Sequence, residues 1–522
     1  MDIVQEQSVE PLADPAMDRF RLRSLVERLA EAGEVRVIDE PVELGDVAGI
    51  MEGSRQAVWL RQVGPERAEL VGGINASRDR VAAAFDVAPA DLLHEVLRRL
   101  HDNTPEIVEV PSSAAPVHQV VLTGADADLT KLPVHLQHGL DGAPYISASM
   151  DFVVDAATGL TNSGLRRLML RGPREAGIDL VAPSDLQAIY RASVAQGKPL
   201  PIAFAVGSHP IDHVAANLRL PVDEAGLISS LRGAPLPVVK CVTNDIRVPA
   251  DAEWILEGYL GPRGYTDTEG PYGEFLGYYG AVKINPVFHL TAVTRRRDAL
   301  FQTLTIGGRG MAHTDATVLG SLRTEATLWQ ALETAVREPV AINATMPFNV
   351  RIALRQRMPG EARNAIYAAF GSLTDVKNVF VVDPDIDIFN DAQMDWALAT
   401  RFQADRDLVV ASGARTIPLD PSLTDGVRVG AKAGFDLTWP FGAGGRQESS
   451  VPEPPRYEGA RFESVLAAID DGPKYFEELV AAIGSRDGRE VVRELDRLRH
   501  EGRLDRDKTG RYLLAQPGVR EP

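Results

Sequence analysis

The sequence predicts a mixed α+β and α/β chain of several domains with a β-rich centre. Three observations carry this reading. Helical and strand periods alternate over residues 1–116 and again over 311–445, short β-type runs broken by Gly and Pro fill 117–310, and a Gly-, Ser- and Pro-containing linker at 446–457 sets apart a last unit, 458–516. The length of 522 residues fits roughly three domains and an appendage.

Asp18 to Gly33 places Phe20, Leu22, Leu25, Val26, Leu29 and Ala30 at helical spacing and closes on a Gly, the pattern of an amphipathic helix. V-R-V-I-D-E at 35–40 reads as a strand and Ala90 to Leu100 as a second helix, and V-P-S-S-A-A-P at 110–116 ends this first domain. The central runs V-H-Q-V-V-L, Y-I-S-A-S-M-D-F-V-V-D, P-I-A-F-A-V-G, P-V-V-K-C-V and A-V-K-I-N-P-V-F-H-L-T-A-V favour a barrel or a sandwich. A helical pattern at 318–336, the strand-like V-K-N-V-F-V-V-D-P-D-I-D-I and a helix around Asp391 to Arg401 make a second α/β portion. Beyond the linker, 461–470, 475–484 and 488–500 read as short helices followed by strand, turn and strand, an order that resembles a winged helix.

Composition narrows the function. With 55 Lys plus Arg against 73 Asp plus Glu the net charge is −18, so the chain lacks the basic footprint of a non-specific nucleic-acid or anionic-membrane binder. An anionic ligand must be held by a local arginine cluster. The single Cys241 excludes an internal disulfide framework, a Cys-based zinc site and an iron–sulfur cluster. The acidic N-terminus lacks the order of a secretory signal and no apolar run reaches the roughly 20 residues of a membrane span, so a soluble cytoplasmic protein is expected. The 458–516 unit likewise lacks the basic stripe that duplex DNA needs: Arg456 to Pro522 carries 13 basic and 14 acidic residues, which favours intersubunit packing or a lid over DNA binding.

There is no phosphate-binding G-x-x-x-x-G-K-[ST], no H-E-x-x-H, no G-x-S-x-G and no G-x-G-x-x-G opening a helix. His135 and His138, beside a Pro, read as a structural pair. In E-G-P-Y-G-E, Glu269 to Glu274, Gly and Pro forbid a helix and demand tight turns. The two acids either share one cavity or sit on a solvated turn. In a cavity, an arginine between them would keep one ionised while the other serves as a proton donor. T-N-S-G-L-R-R, Thr161 to Arg167, offers an amide oxygen at Asn162, backbone NH groups freed by Gly164, and guanidinium groups at Arg166 and Arg167. These are the parts of an anion site with one hard-metal ligand.

Together, D-G-A-P-Y-I at 141–146, Asn162-x-x-x-x-Arg167, Asp223-Glu224, E-G-P-Y-G-E, D-I-D-I at 385–388, W-A-L-A-T-R at 396–401 and K-A-G-F-D-L-T at 432–438 resemble the UbiD family of reversible decarboxylases, over residues 20 to 445. The resemblance implies a central split β-barrel of flavin-reductase type between α/β portions. It implies prenylated FMN, supplied by a separate flavin prenyltransferase, as the electron sink for loss of CO2 from a covalently bound carboxylic acid substrate. It further implies a homo-oligomer, and a divalent ion, Mn2+ or Mg2+, with K+ a further candidate. Position by position, Asn162 and Glu224 match metal ligands, Arg167, Glu269 and Glu274 match the catalytic set with Glu274 as proton donor, and Asn162, Ser163, Gly164, Leu165, Arg166, Arg167, Ser184 and Glu224 surround the cofactor.

Two positions depart from the family pattern. Where many relatives carry a metal-binding His, this chain has Asp185, either an oxygen ligand or a helix N-cap. Where some carry a phosphate-binding Lys in F-G-S-K, this chain has Leu373, which leaves the metal, Arg166, Lys377 or Lys432 to neutralise the cofactor phosphate. Ser184, just before Asp185, stands where some relatives carry a larger Gln, and Phe275 follows Glu274; the smaller residue and the aromatic suggest a slot for a flat aromatic or fused-ring acid such as a phenazine carboxylate. The expected activity is non-oxidative decarboxylation of an aromatic, heteroaromatic or α,β-unsaturated acid. The alternative is an accessory flavin-binding subunit that uses its C-terminal unit for interaction.

Overall fold

The computed structural model describes residues 15–346, 348–373, 375–417, 419–423, 429–442 and 454–515. At its centre six antiparallel strands close into a barrel, in the order Trp254–Leu260, Leu200–Val206, Tyr145–Val154, Thr161–Gly172, Glu175–Ile178 and Val287–Arg295, the last pairing back with the first. Alternation along Leu200–Val206 shows why it closes. Ile202, Phe204 and Val206 enter one core with Leu168, Leu256 and Phe288, while Ala203 and Ala205 face a second core with Met150 and Phe152. A period of two thus serves an interior and a helix-covered exterior at once. Closure requires a bulge at Glu257/Gly258, where a Cβ on Gly258 would run into the His289 carbonyl.

Helices Leu92–Asp102, Pro210–Leu218, Glu224–Arg232 and Asp315–Ala335 cover the exterior. Under them lies a fully buried ion triad in which Arg232 donates to Asp212 and Asp251, each at 2.6 Å. Pro286 splits the long run predicted at 281–293 into Lys283–Asn285 and Val287–Arg295, because a proline has no NH to continue a ladder.

Two pairings cross the sequence boundary at 116. The N-terminal sheet of Val35–Ile38, Ala57–Val63 and Ala68–Gly72 is completed by Leu300–Thr303, which follows the barrel in sequence. Ile107–Glu109 pairs with Leu236–Lys240. A mixed five-stranded sheet follows, in the order Pro339–Met346, Asn349–Leu354, Asn378–Val382, Val429–Asp436 and Leu408–Arg415. Asp385 and Arg401, from two of the spaced motifs, form an ion pair at 2.5 Å beside this sheet and do not line the cavities described below.

The first eight residues of the linker expected at 446–457 lie outside the described residues. After it, helices Val465–Asp470, Phe476–Ile483 and Arg489–His500 and a hairpin of Leu504–Arg506 with Tyr512–Leu514 enclose their own core of Val465, Leu479, Val491, Leu495 and Leu498.

Candidate active site

The barrel strand Thr161–Gly172 organises the site. Thr161 to Arg167 is therefore paired strand rather than a loop with freed NH groups: Gly164 stands opposite Asp151, and the Ser163 NH donates to a Glu224 oxygen. Gly164 has a different use. A Cβ there would come 3.2 Å from Arg166 Nη1, so the glycine lets that guanidinium fold back along its own strand.

Arg167 reaches three carboxylates. Its Nε lies 2.9 Å from Glu269 Oε1, its Nη1 lies 2.7 Å from Glu274 Oε1, and its Nη2 lies 3.0 Å from Asp179 Oδ2 and 3.2 Å from Glu269 Oε2. Burial opposes the charge, but the three anions outweigh it and hold the guanidinium firmly ionised. The ring of Tyr272 packs against it at 4.5 Å, a cation–π contact.

The two glutamates are held differently. Glu269 is fully buried and also accepts from Tyr145 Oη at 3.0 Å and Asn285 Nδ2 at 3.3 Å. Burial and the adjacent Glu269 charge push the Tyr145 phenol well above its ordinary range, so it stays a donor. Glu274, 7% exposed, has its carboxylate on Arg167 alone among the described residues and borders the cavity. Gly280 leaves it room, since a Cβ there would lie 2.7 Å from Glu274 Oε1. Their burial rules out the solvated-turn alternative.

The D-G-A-P-Y-I segment clasps the turn that carries these acids. Asp141 Oδ1 accepts from the Gly273 NH at 2.8 Å, the Gly142 NH donates to the Pro271 carbonyl at 2.8 Å, and the rings of Tyr145 and Tyr272 lie 4.3 Å apart. Gly142 is required, because a Cβ would strike the Gly270 carbonyl. The peptide between Gly270 and Pro271 is cis.

Arg167 and Glu274 border a cavity of about 290 Å³ with Arg166, Asp179, Phe275 and Ile306. Sequence reasoning missed Asp179, which binds Lys283 Nζ at 2.8 Å as well as Arg167. Burial would raise its pKa, but the two cations outweigh that and hold the carboxyl below its usual range. It missed Arg219 on the same cavity too. Only the barrel's closure signals either residue, since neither stands in a spaced motif.

A second cavity, about 310 Å³, gathers Asn162, Asp185 and Glu224. Asn162 Nδ2 donates to Glu224 Oε2 at 2.7 Å, while Asn162 Oδ1 is buried and accepts nothing, as are both Asp151 oxygens and Ser163 Oγ nearby. Arg166 Nε lies 3.2 Å from Asp151 Oδ1 but too obliquely for a hydrogen bond. Burial, reinforced by the charges of Asp151 and Asp185, raises the Glu224 carboxyl to about 7 against the opposing Ser163 NH and the charge of Arg166. Orphaned buried oxygens and a carboxylate with no ion pair among the described residues fit a hard divalent cation. Among the described residues no three His, Cys, Asp or Glu side chains gather as a metal cluster, so such an ion would rest on two carboxylates and an amide.

The N-cap alternative for Asp185 falls to its neighbour. Ser184 Oγ accepts from the Gln187 NH at 3.2 Å and caps the helix Asp185–Ala195, leaving Asp185 exposed at the cavity rim. Ser184 itself borders neither cavity, whereas Phe275 does. Of the candidate phosphate partners, Lys377 is committed to Asp420 at 2.8 Å and Ser422 at 2.7 Å, and Lys432 to the Phe370 and Leu373 carbonyls at 2.9 and 2.7 Å.

Comparison with known proteins agrees with this architecture. The 3-octaprenyl-4-hydroxybenzoate carboxy-lyase Rift-related domain matches residues 108–310, and the corresponding C-terminal domain matches 317–437. The fold and site therefore define a carboxy-lyase. The chain belongs to the UbiD family of decarboxylases. The anhydromevalonate phosphate decarboxylase of Methanosarcina mazei is 30% identical over 424 residues, 80% of this chain and 95% of that protein. The phenolic acid decarboxylase of Sedimentibacter hydroxybenzoicus is 28% identical over 483 residues, 88% of this chain and 96% of that one. The UbiD-class enzyme HmfF from Pelotomaculum thermopropionicum, solved in complex with FMN, superposes with a TM-score of 0.78 at 33% identity, covering 83% of this chain and 97% of its own. An evolved dimeric form of that enzyme, solved with prFMN, gives a TM-score of 0.74 at 29% identity, covering 84% and 97%. Among the described residues no helix is long and apolar enough to cross a membrane.

Proposed function

We propose that this chain removes CO2, without net oxidation, from a carboxylic acid whose carboxylate sits on an aromatic, heteroaromatic or α,β-unsaturated carbon. Prenylated FMN and a divalent ion, manganese or magnesium, serve as its cofactors. The observation that carries the reading is Arg167 clamped between a locked Glu269 and a loosely held Glu274 on the wall of a cavity.

When bound at this cavity, the prenylated flavin would supply the electron sink for the carbon that loses CO2. The protein's own part is orientation and proton delivery. Glu269, fixed by Arg167, Tyr145 and Asn285, keeps the guanidinium aimed, and Arg167 offers the substrate carboxylate its charge and the remaining Nη1 hydrogen at the cavity wall. Glu274, with one side-chain hydrogen bond, is free to rotate toward the cavity and deliver the proton that replaces CO2. Asn162, Asp185 and Glu224 would hold the metal at the neighbouring cavity, and oxygen donors alone suit such a cation. A homo-oligomer is part of this reading, supported by the dimeric relative.

Coexpression with a flavin prenyltransferase tests it. The purified protein should carry prenylated flavin and release CO2 from members of a panel of aromatic and α,β-unsaturated acids that includes phosphorylated ones. A protein loaded with that flavin and inert toward the whole panel would refute the enzymatic reading.

A further inference from the structure

The two cavities meet at one segment. Asn217 and Arg219 border the cavity of Arg167, while Leu220, Pro221 and Val222 border the cavity of Asn162, Asp185 and Glu224. Arg219 stands at this seam. It ends the helix Pro210–Leu218 with φ 56° and ψ 54°, a left-handed conformation. Gly233 closes the next helix in a similar conformation, φ 63° and ψ 32°, without a side chain. At Arg219 the left-handed turn instead carries a long cationic side chain to the cavity wall.

That side chain has no partner among the described residues. Its neighbours do have partners: Arg323 donates to Asp375 at 2.6 Å, and Arg166 donates to the Leu165 carbonyl at 3.1 Å and lies near Asp151. Arg219 makes no hydrogen bond and no ion pair within 4 Å among the described residues, and its exposed side chain borders the cavity. An unpaired guanidinium beside other guanidiniums is unfavourable until an anion joins them.

The geometry points to Arg219, with Arg166 beside it, as a site for a phosphate monoester at the seam between the two cavities, occupied by the phosphate of the flavin. This rests on the flavin reading above and deepens it. Leu373 leaves no lysine at the position some relatives use, and both Lys377 and Lys432 are committed elsewhere, so the neutralising charge comes from the opposite wall. A planar guanidinium offers paired donors to phosphate, and the candidate metal ligands lie just across the segment.

The test compares FMN with riboflavin, which differ only in the phosphate, by fluorescence titration of the full chain in excess manganese. The wild type should prefer FMN. Arg219→Asn, which tolerates the left-handed backbone, should weaken FMN binding about 10- to 100-fold and leave riboflavin unchanged, as expected for losing a charge-assisted contact. Arg219→Lys should restore part of the preference. An unchanged FMN preference in Arg219→Asn overturns the assignment, and so does an equal loss of both ligands, which marks a structural role. An unchanged FMN preference together with lost competition by inorganic phosphate would give the cation to a phosphorylated substrate instead. A wild type that binds neither flavin overturns the flavin reading itself.

Discussion

Arg167 Nη1 lies 2.7 Å from Glu274 Oε1, while the Nε and Nη2 of the same guanidinium grip both oxygens of Glu269. One side chain therefore locks one acid and only tethers the other. This asymmetry separates a group that positions from a group that can move a proton.

Glu274→Gln should lower turnover by about 10²- to 10⁴-fold, the range for losing a general acid. Incorporation of solvent deuterium into product should fall with it, while flavin content is kept. Full turnover with full deuterium incorporation would place the acid elsewhere.

Arg167→Lys replaces a fork by a point charge that cannot serve Glu269, Glu274 and Asp179 together. We expect kcat/KM to drop by at least about 100-fold, roughly 3 kcal/mol of transition-state stabilisation. Tyr145→Phe removes one of four donors to Glu269 and should cost far less. Steady-state kinetics of the two variants side by side checks the ranking.

Asp185→Ala should weaken manganese binding by about tenfold or more, whereas Asp185→His should retain it, because imidazole is an accepted alternative ligand. Metal content after dialysis and titration calorimetry read this directly. Equal affinity in the alanine variant would remove Asp185 from the ligand set.

Acid stability should depend on buried histidines. His213 is fully buried against Asn75 at 3.0 Å, and burial lowers its pKa from 6.5 to about 4. The unfolded chain binds this proton first, so stability is intact above pH 6.5 and falls as the pH drops toward about 4. The loss is on the order of 3 kcal/mol for this group. His213→Gln should flatten the pH dependence of the denaturation midpoint between those limits by that amount.

Arg232→Ala leaves Asp212 and Asp251 buried without their cation. It should destabilise the fold by about 3–5 kcal/mol, measurable by urea denaturation. Replacing all three residues by apolar ones of similar volume should cost much less.

The alternating runs of the barrel were legible because burial on two faces imposes a period of two, as in Leu200–Val206. The helix Asp391–Arg401 was legible from its spacing in the same way. The helices Pro210–Leu218 and Glu224–Arg232 were not, because they are buried nearly all round and have no polar face to show a period. The sheet crossing from the N-terminal domain to Leu300–Thr303 was hidden by its sequence separation.

By itself the sequence determined the spaced motifs and hence which acids, amide and arginines are candidates for chemistry, since turn residues and charge types are local properties. Only the tertiary structure decided how they combine. Arg167 meets Glu269 and Glu274 across 102 and 107 residues, Ser184 takes the cap and frees Asp185, and Asp179 and Arg219 reach the cavity from positions with no motif at all. Closing the barrel sets those distances, and whether a charge ends beside a partner, a cavity or nothing follows from that closure rather than from its neighbours in the chain.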